Sequence, residues 1–120
     1  MATDDRCCTI VPYFDIHSGK VEQFKTLCER FVEKTKTEPH CLYYGWSFDG
    51  DHAHCREGYR DADAAIAHIQ NVAGLLAELV KVADVVRFEL HGPEGELEKL
   101  RGPFTDLNPK YFKLEYGFRR

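Results

Sequence analysis

Residues 41–59 constrain the fold most, because their pattern predicts a β-hairpin. Two strand-like runs, CLYYGWSF at 41–48 and HAHCREGY at 52–59, flank the sequence DGD. An aspartate–glycine pair between two such runs is the strongest short-range signal for a hairpin turn. A turn of two residues and a turn of three residues both remain open, and they place different second-strand residues beside the histidines.

The segments around the hairpin predict further strands and helices. Residues 8–16 are rich in β-branched and aromatic side chains and predict a first strand, in which Pro12 favours an edge position or a bulge. Residues 20–36 carry apolar side chains at helical spacing and predict an amphipathic helix, with Ser18 as a plausible N-cap. Residues 84–92 predict a fourth strand, which Gly92 and Pro93 close.

The region after the hairpin predicts two short helices before the fourth strand. Asp61 or Asp63 is expected to cap the first helix, at 62–70, and Asn71 to cap the second. A short charged helix is expected after the fourth strand, and a fifth strand is expected at 110–118. Four apolar side chains alternate along one face of that last strand: Phe112, Leu114, Tyr116 and Phe118.

The order of these elements, β-α-β-β-α-β with one further strand, predicts the fold class. It is the split βαβ, ferredoxin-like plan of an α+β domain, in which helices cover one face of an antiparallel sheet. Apolar residues occur on both faces of the predicted second strand. A single chain would leave too much apolar surface exposed, so we expect a homodimer formed sheet to sheet.

Composition excludes several classes of protein. The net charge is −4 and the basic residues are scattered, which argues against nucleic-acid binding. The sequence has no apolar run of membrane-spanning length and lacks the basic and apolar regions of a signal peptide, so we expect a cytoplasmic protein without a membrane partner. The five cysteines lack a C-x-x-C spacing, which favours free thiols.

The run DGDHAHC at residues 49–55 contains ligand-type side chains, but strand alternation divides them. On the third strand one face carries His52, His54 and Arg56, and the other carries Ala53, Cys55 and Glu57. The guanidinium of Arg56 would oppose a cation beside the two histidines, and a zinc ion needs further ligands. We therefore expect no metal site.

The sequence resembles the antibiotic biosynthesis monooxygenase (ABM) domain of the dimeric α+β barrel superfamily. The resemblance lies in TEPHCLYYGWSFDG and HCREGYRDADAAIAHIQ, through three features: Glu38–Pro39–His40–Cys41, Glu57 with Tyr59, and Ala67–His68. It covers roughly residues 8–92 of a single domain at 1–120. Residues 93–120 are then a C-terminal extension with an extra strand, which stays in its own subunit or reaches into the partner.

The resemblance implies a small pocket between the sheet and the helices. Members of the family include oxygenases that need no cofactor, because a quinol or anthrone substrate supplies the electrons for O₂. Such an enzyme needs a base, hydrogen bonds to a phenolate and a dry aromatic pocket. In such a pocket His68 is the candidate base, since an imidazole can take a phenolic proton near neutral pH, and Glu57 is a second base or the group that orients His68. Tyr59, Tyr43 and Phe14 are the candidate substrate-binding residues, and no cofactor is expected. Trp46 and Tyr44 are expected in the core or at the dimer interface.

Alternative functions remain open. Haem degradation is not expected, because the histidine and asparagine of the haem-degrading members are absent here: Leu79 and Val80 occupy the stretch that would carry the histidine, and Pro12 or a neighbour stands where the asparagine would be. A dimer of the same fold that binds or senses a small molecule without chemistry is the main alternative. A hydrolytic or isomerising enzyme that uses the same His–Glu pair is a third.

Overall fold

The computed structural model describes residues 3–120 as a five-stranded sheet with helices packed on one face. The elements are β1 (Cys8–Ile16), α1 (Val21–Thr35), β2 (Cys41–Asp49), β3 (His52–Tyr59), α2 (Ala62–Leu79), β4 (Ala83–Gly92), α3 (Glu94–Leu100) and β5 (Lys110–Lys113), with a 3-10 turn at Thr105–Leu107 before β5. The α+β, ferredoxin-like prediction is confirmed.

The sheet has the strand order β2-β3-β1-β4-β5. The first four strands pair antiparallel as expected, but β5 runs parallel to β4, so the sheet is mixed. The predicted strand at 110–118 was too long, since strand geometry ends at Lys113. Lys113 pairs with Gly92, the last residue of β4, so β4 offers no further ladder beyond this point. The side chains of Tyr116 and Phe118 are about four-fifths exposed, at 81% and 80%.

Strand β1 is central, so the edge position considered for Pro12 was wrong. The pairs of β1 with β3 are interrupted between Ile10 and Tyr13, and the register of β1 with β4 shifts between Tyr13 and Phe14. A residue without an N–H fits a central strand only beside such an irregularity.

The β2–β3 hairpin has a two-residue turn, because Asp49 pairs with His52. Gly50, the first turn residue, has a φ of +62°, which glycine adopts without steric cost. This register decides the question that the sequence left open.

Helix α2 is continuous, so the prediction of two short helices divided at Asn71 was wrong. The Asn71 side chain donates to the Lys34 carbonyl and to Glu38 instead of capping a helix. Asp61 is the N-cap of α2, since its carboxylate accepts from the Ala64 backbone N–H at 3.0 Å. Helix α1 begins after Lys20 without a side-chain cap, so Ser18 is not its N-cap.

The core lies between the sheet and the helices. One cluster centres on Tyr59, Phe104 and the α3 leucines, and a second centres on Phe24 and Phe31 of α1. All five cysteines are free, and four of them are buried. Within residues 3–120 no helix is long and apolar enough to cross a membrane.

Candidate active site

Helix α2 carries His68 into the space beneath the sheet. Its inward residues recur every three or four positions and include Ala65, His68 and Val72. The His68 side chain is 3% exposed, so burial removes the imidazole almost completely from water. A buried imidazole needs hydrogen-bond partners on its nitrogens, and two glutamates stand beside it.

Glu38, in the loop between α1 and β2, contacts one nitrogen of His68. The distance from His68 Nδ1 to Glu38 Oε2 is 2.9 Å, and to Oε1 it is 3.1 Å. Asn71 Nδ2 donates to Glu38 Oε2 at 2.8 Å and fixes the carboxylate in place. Because a carboxylate only accepts, Nδ1 carries the hydrogen, and in a neutral imidazole the Nε2 lone pair is free.

Glu57, on the inward face of β3, lies on the other side of His68. The distance from His68 Nε2 to Glu57 Oε1 is 3.4 Å, and the Tyr59 hydroxyl donates to the same Oε1 at 2.6 Å. Burial is the main cause that raises the pKa of Glu57 to about 8, against the opposing effect of the Tyr59 hydrogen bond. Glu57 is therefore largely protonated at neutral pH.

Burial also shifts the pKa of His68, but in the downward direction. Removal from water lowers the pKa of His68 below its ordinary value, although the Glu38 carboxylate partly raises it. Neutral imidazole and neutral carboxylic acid therefore stand side by side near pH 7. Such a pair can accept one proton from a ligand and supply another to it.

A cavity of 40 Å³ adjoins this pair. Three of the predicted site residues line this cavity: His68, Glu57 and Phe14. The rest of the lining is mostly apolar. The lining consists of Ile10, Pro12, Phe14, Phe31, Tyr44, Trp46, Glu57, His68, Ile69, Val72, Leu76, Leu79, Val85, Phe88 and Leu107. Within the described residues, the buried Nε1 of Trp46 has no hydrogen-bond partner.

Two predicted substrate-binding residues lie elsewhere. Tyr59 is fully buried behind the wall and acts on the site through its hydrogen bond to Glu57. Tyr43 is on the outer face of the sheet, where its ring packs against Gly58 and beneath the guanidinium of Arg56, so it does not line the cavity beside His68. The two-residue turn sets a continuous register that pairs Tyr44 with Glu57, so Tyr44 is the tyrosine that faces inward.

Sequence reasoning missed four residues of the site: Glu38, Tyr44, Trp46 and Asn71. Glu38 was noted only as part of a motif, and its contact with His68 spans 30 positions of the chain. Tyr44 and Trp46 were interpreted as core or interface aromatics. The spacing of Asn71 from His68, three positions along a helix, was a usable signal that both side chains face the same way.

The histidines of the hairpin point to the outer face. His52 Nδ1 contacts Asp15 Oδ1 at 2.6 Å, and His54 Nδ1 contacts the Pro12 carbonyl at 2.8 Å. In the described part of the chain, no group of three or more histidine, cysteine, aspartate or glutamate residues is placed to hold a metal ion.

Comparison with known proteins supplies a family match. The sequence model described as "Antibiotic biosynthesis monooxygenase" matches residues 8–73. The crystal structure of MupZ from Pseudomonas fluorescens is 49% identical, covers 96% of this chain and 95% of its own, and superposes with a TM-score of 0.90. No curated protein sequence matches the chain.

More distant structures share the fold. A conserved protein from Methanosarcina mazei Go1 is 21% identical, with coverage of 72% of this chain and 89% of its own and a TM-score of 0.64. A structure named antibiotic biosynthesis monooxygenase is 20% identical, with coverage of 69% and 92% and a TM-score of 0.61.

Proposed function

Because the chain belongs to the antibiotic biosynthesis monooxygenase family, we propose that it is a cofactor-independent monooxygenase. Its substrate is a small aromatic or quinol-type molecule that binds between the sheet and the helices. The observation that carries the proposal is the His68–Glu57 pair at the wall of an aromatic cavity, with Nε2 and Oε1 3.4 Å apart.

In the proposed reaction His68 is the base. Its Nε2 takes the phenolic proton, and the Glu38 carboxylate at Nδ1 stabilises the imidazolium that forms. The electron-rich anion passes electrons to O₂, and a carbon–oxygen bond forms. The O–O bond then breaks with proton uptake: one oxygen atom stays in the product as a carbonyl, and the other leaves as water. The two electrons that reduce this second atom come from the substrate.

Two other groups support the charge that develops on the substrate. Glu57, protonated at neutral pH, supplies a hydrogen-bond donor in a site shielded from water. The indole N–H of Trp46, buried at the same cavity without a partner, supplies a second donor. An oxygen of the substrate would satisfy this indole, which explains why a donor that is costly to bury stands there.

Oxygen uptake by the purified protein tests the proposal. A panel of hydroquinones and anthrones is expected to include a substrate that saturates the enzyme and consumes one O₂ per molecule, without added metal or cofactor. One atom of ¹⁸O₂ should appear in the product and the other in water. Absence of enzyme-dependent uptake across the panel would overturn the proposal, and ligand binding without any turnover would favour a binding or sensing protein instead.

A second candidate is an isomerising or hydrolytic reaction that needs no oxygen. It is favoured by the protonation state of Glu57, because a neutral carboxylic acid beside a neutral imidazole is suited to move a proton between two atoms of a substrate. Turnover of an oxygen-bearing substrate that continues at the same rate under anaerobic conditions would support this candidate.

The proposed enzyme is a homodimer that pairs the outer faces of two sheets. Aromatic side chains on this face have no helix above them: Tyr13 stacks on His54 at 4.4 Å, and Phe112 stacks on His91 at 4.8 Å. Burial of this surface against a second copy would remove apolar area from water. Light scattering is expected to give twice the mass of one chain, and a monomer mass at all concentrations would contradict the dimer.

A further inference from the structure

The cavity beside His68 is too small for the substrate class proposed above. Its volume of 40 Å³ accommodates a few water molecules, since one water needs about 10–15 Å³. A cavity that holds benzene has a volume of about 150 Å³. Part of the wall must therefore move before an aromatic ligand can enter.

One residue of the wall differs from the others in its position in the fold. Fourteen of the fifteen lining residues lie on helices α1 and α2 or on strands β1–β4, where the backbone hydrogen bonds of the helix or sheet fix their positions. Leu107 is the exception, because it lies on the 3-10 turn Thr105–Leu107 between α3 and β5. This turn is also outside residues 8–73, the part that matches the family model.

The backbone of the turn is held mainly by local hydrogen bonds. The N–H groups of Leu107 and Asn108 donate to the carbonyls of residues three positions earlier, at 3.1 and 3.0 Å. Thr105 and Asp106 are exposed, and Asn108 ends the turn with a φ of +50°, a left-handed conformation that asparagine adopts more readily than most residues. Segments with few buried contacts and local hydrogen bonds open at low free-energy cost.

The segment is anchored at both ends, by the buried Phe104 at its start and by the pairing of Lys110 with Glu89 at its end, so opening is confined to residues 105–109. Phe104 is 1% exposed and stacks on Phe88 with ring centroids 6.1 Å apart. Leu107, three residues later, is only half-buried. Rotation about Phe104 would lift Leu107 from the cavity while the anchor stays in the core.

We propose that Leu107 is the gate of the cavity: the 3-10 turn moves to admit the ligand, and the Leu107 side chain limits the size of the ligand that fits. This proposal depends on the proposed function only in taking the cavity as the ligand site. Its test does not require turnover.

The single tryptophan of the chain, Trp46, lines the cavity, so its fluorescence reports binding there. Stopped-flow quenching by 4-nitrophenol gives the association rate for the wild type and for two matched variants. Leu107→Ala removes the gating side chain, and Leu76→Ala removes the same atoms from the fixed wall on α2. Circular dichroism and thermal unfolding establish that both variants are folded.

We expect Leu107→Ala to raise the association rate about tenfold, because binding through a gate is slowed by the small fraction of time that the gate is open. Leu76→Ala should change the association rate less than about twofold, although a larger cavity can slow dissociation. Equal effects of the two variants, or no effect of either, would overturn the gate. If Leu107→Ala gives the expected rate increase but no substrate supports oxygen uptake, the gate stands and only the monooxygenase proposal is refuted.

Discussion

Replacement of His68 with asparagine is expected to lower kcat/KM for an accepted quinol by about 10²–10⁴-fold, the usual contribution of a positioned general base. The asparagine amide can still donate to Glu38, as Nδ1 of His68 does at 2.9 Å, so the partly buried carboxylate keeps a partner. The variant lacks the basic Nε2 beside Glu57. Initial rates of oxygen uptake, with thermal unfolding as the check on folding, measure the effect.

Glu38→Gln separates the role of the base from the role of the residue that positions it. The Glu38 charge raises the pKa of His68, so its removal should shift the acidic limb of the kcat/KM profile, where His68 becomes protonated, to lower pH. Glu33→Gln is the matched control, because Glu33 is exposed on α1 and pairs with Lys36. Wild-type rates in His68→Asn, or an unshifted profile in Glu38→Gln, would remove His68 from the role of base.

Glu57 is expected to make the stability of the protein fall as pH rises. Its pKa is about 8 in the folded protein against 4.5 when unperturbed, so the folded state binds the proton more tightly than the unfolded chain does. This stabilisation is complete below pH 4.5 and is lost as pH rises through about 8. Each pKa unit corresponds to about 1.4 kcal/mol, so the total is on the order of 5 kcal/mol.

The Glu57→Gln variant isolates this effect, because glutamine keeps the shape of the side chain but does not titrate. Between pH 6.5 and pH 8 the free energy of unfolding of the wild type should fall by roughly 2 kcal/mol relative to Glu57→Gln. Urea unfolding at four pH values measures the difference. This range avoids the opposite contribution of His68, whose lowered pKa makes stability rise with pH up to its unperturbed value near 6.5. Parallel curves would mean that Glu57 is ionised in the fold.

The elements that the sequence predicted well depend on local periodicity. The hairpin at residues 41–59, the amphipathic helix α1 and the opposite orientations of His54 and Cys55 follow from alternation or helical spacing within a few residues. The same alternation places Glu57 inward. The wrong predictions lie where a partner distant in sequence overrides a local signal. Asn71 was expected to cap a helix, but its side chain donates a hydrogen bond to Glu38 from the middle of α2.

In the candidate site, too, residues on periodic elements were predicted and residues placed by distant contacts were missed. His68, Glu57 and Phe14 were named from residue type, strand alternation and resemblance, and they line one cavity. Tyr43 lies on the opposite face of the sheet because the two-residue turn places Tyr44, not Tyr43, opposite Glu57, and the sequence left the length of that turn open. Glu38 was missed because it lies in a loop, where no period predicts the direction of a side chain.

The pattern of residues alone predicts the α+β plan, the amphipathic face of α1, and an acid and a base on the same side of the sheet. Which groups meet depends on how the elements pack: Glu38 contacts His68 across 30 positions of the chain, and Leu107 reaches a cavity built by β1–β4 and two helices. The physical reason is that periodicity fixes the direction of a side chain relative to its own backbone. Distances between elements, and the burial that sets the protonation of Glu57 and His68, arise only when those elements pack.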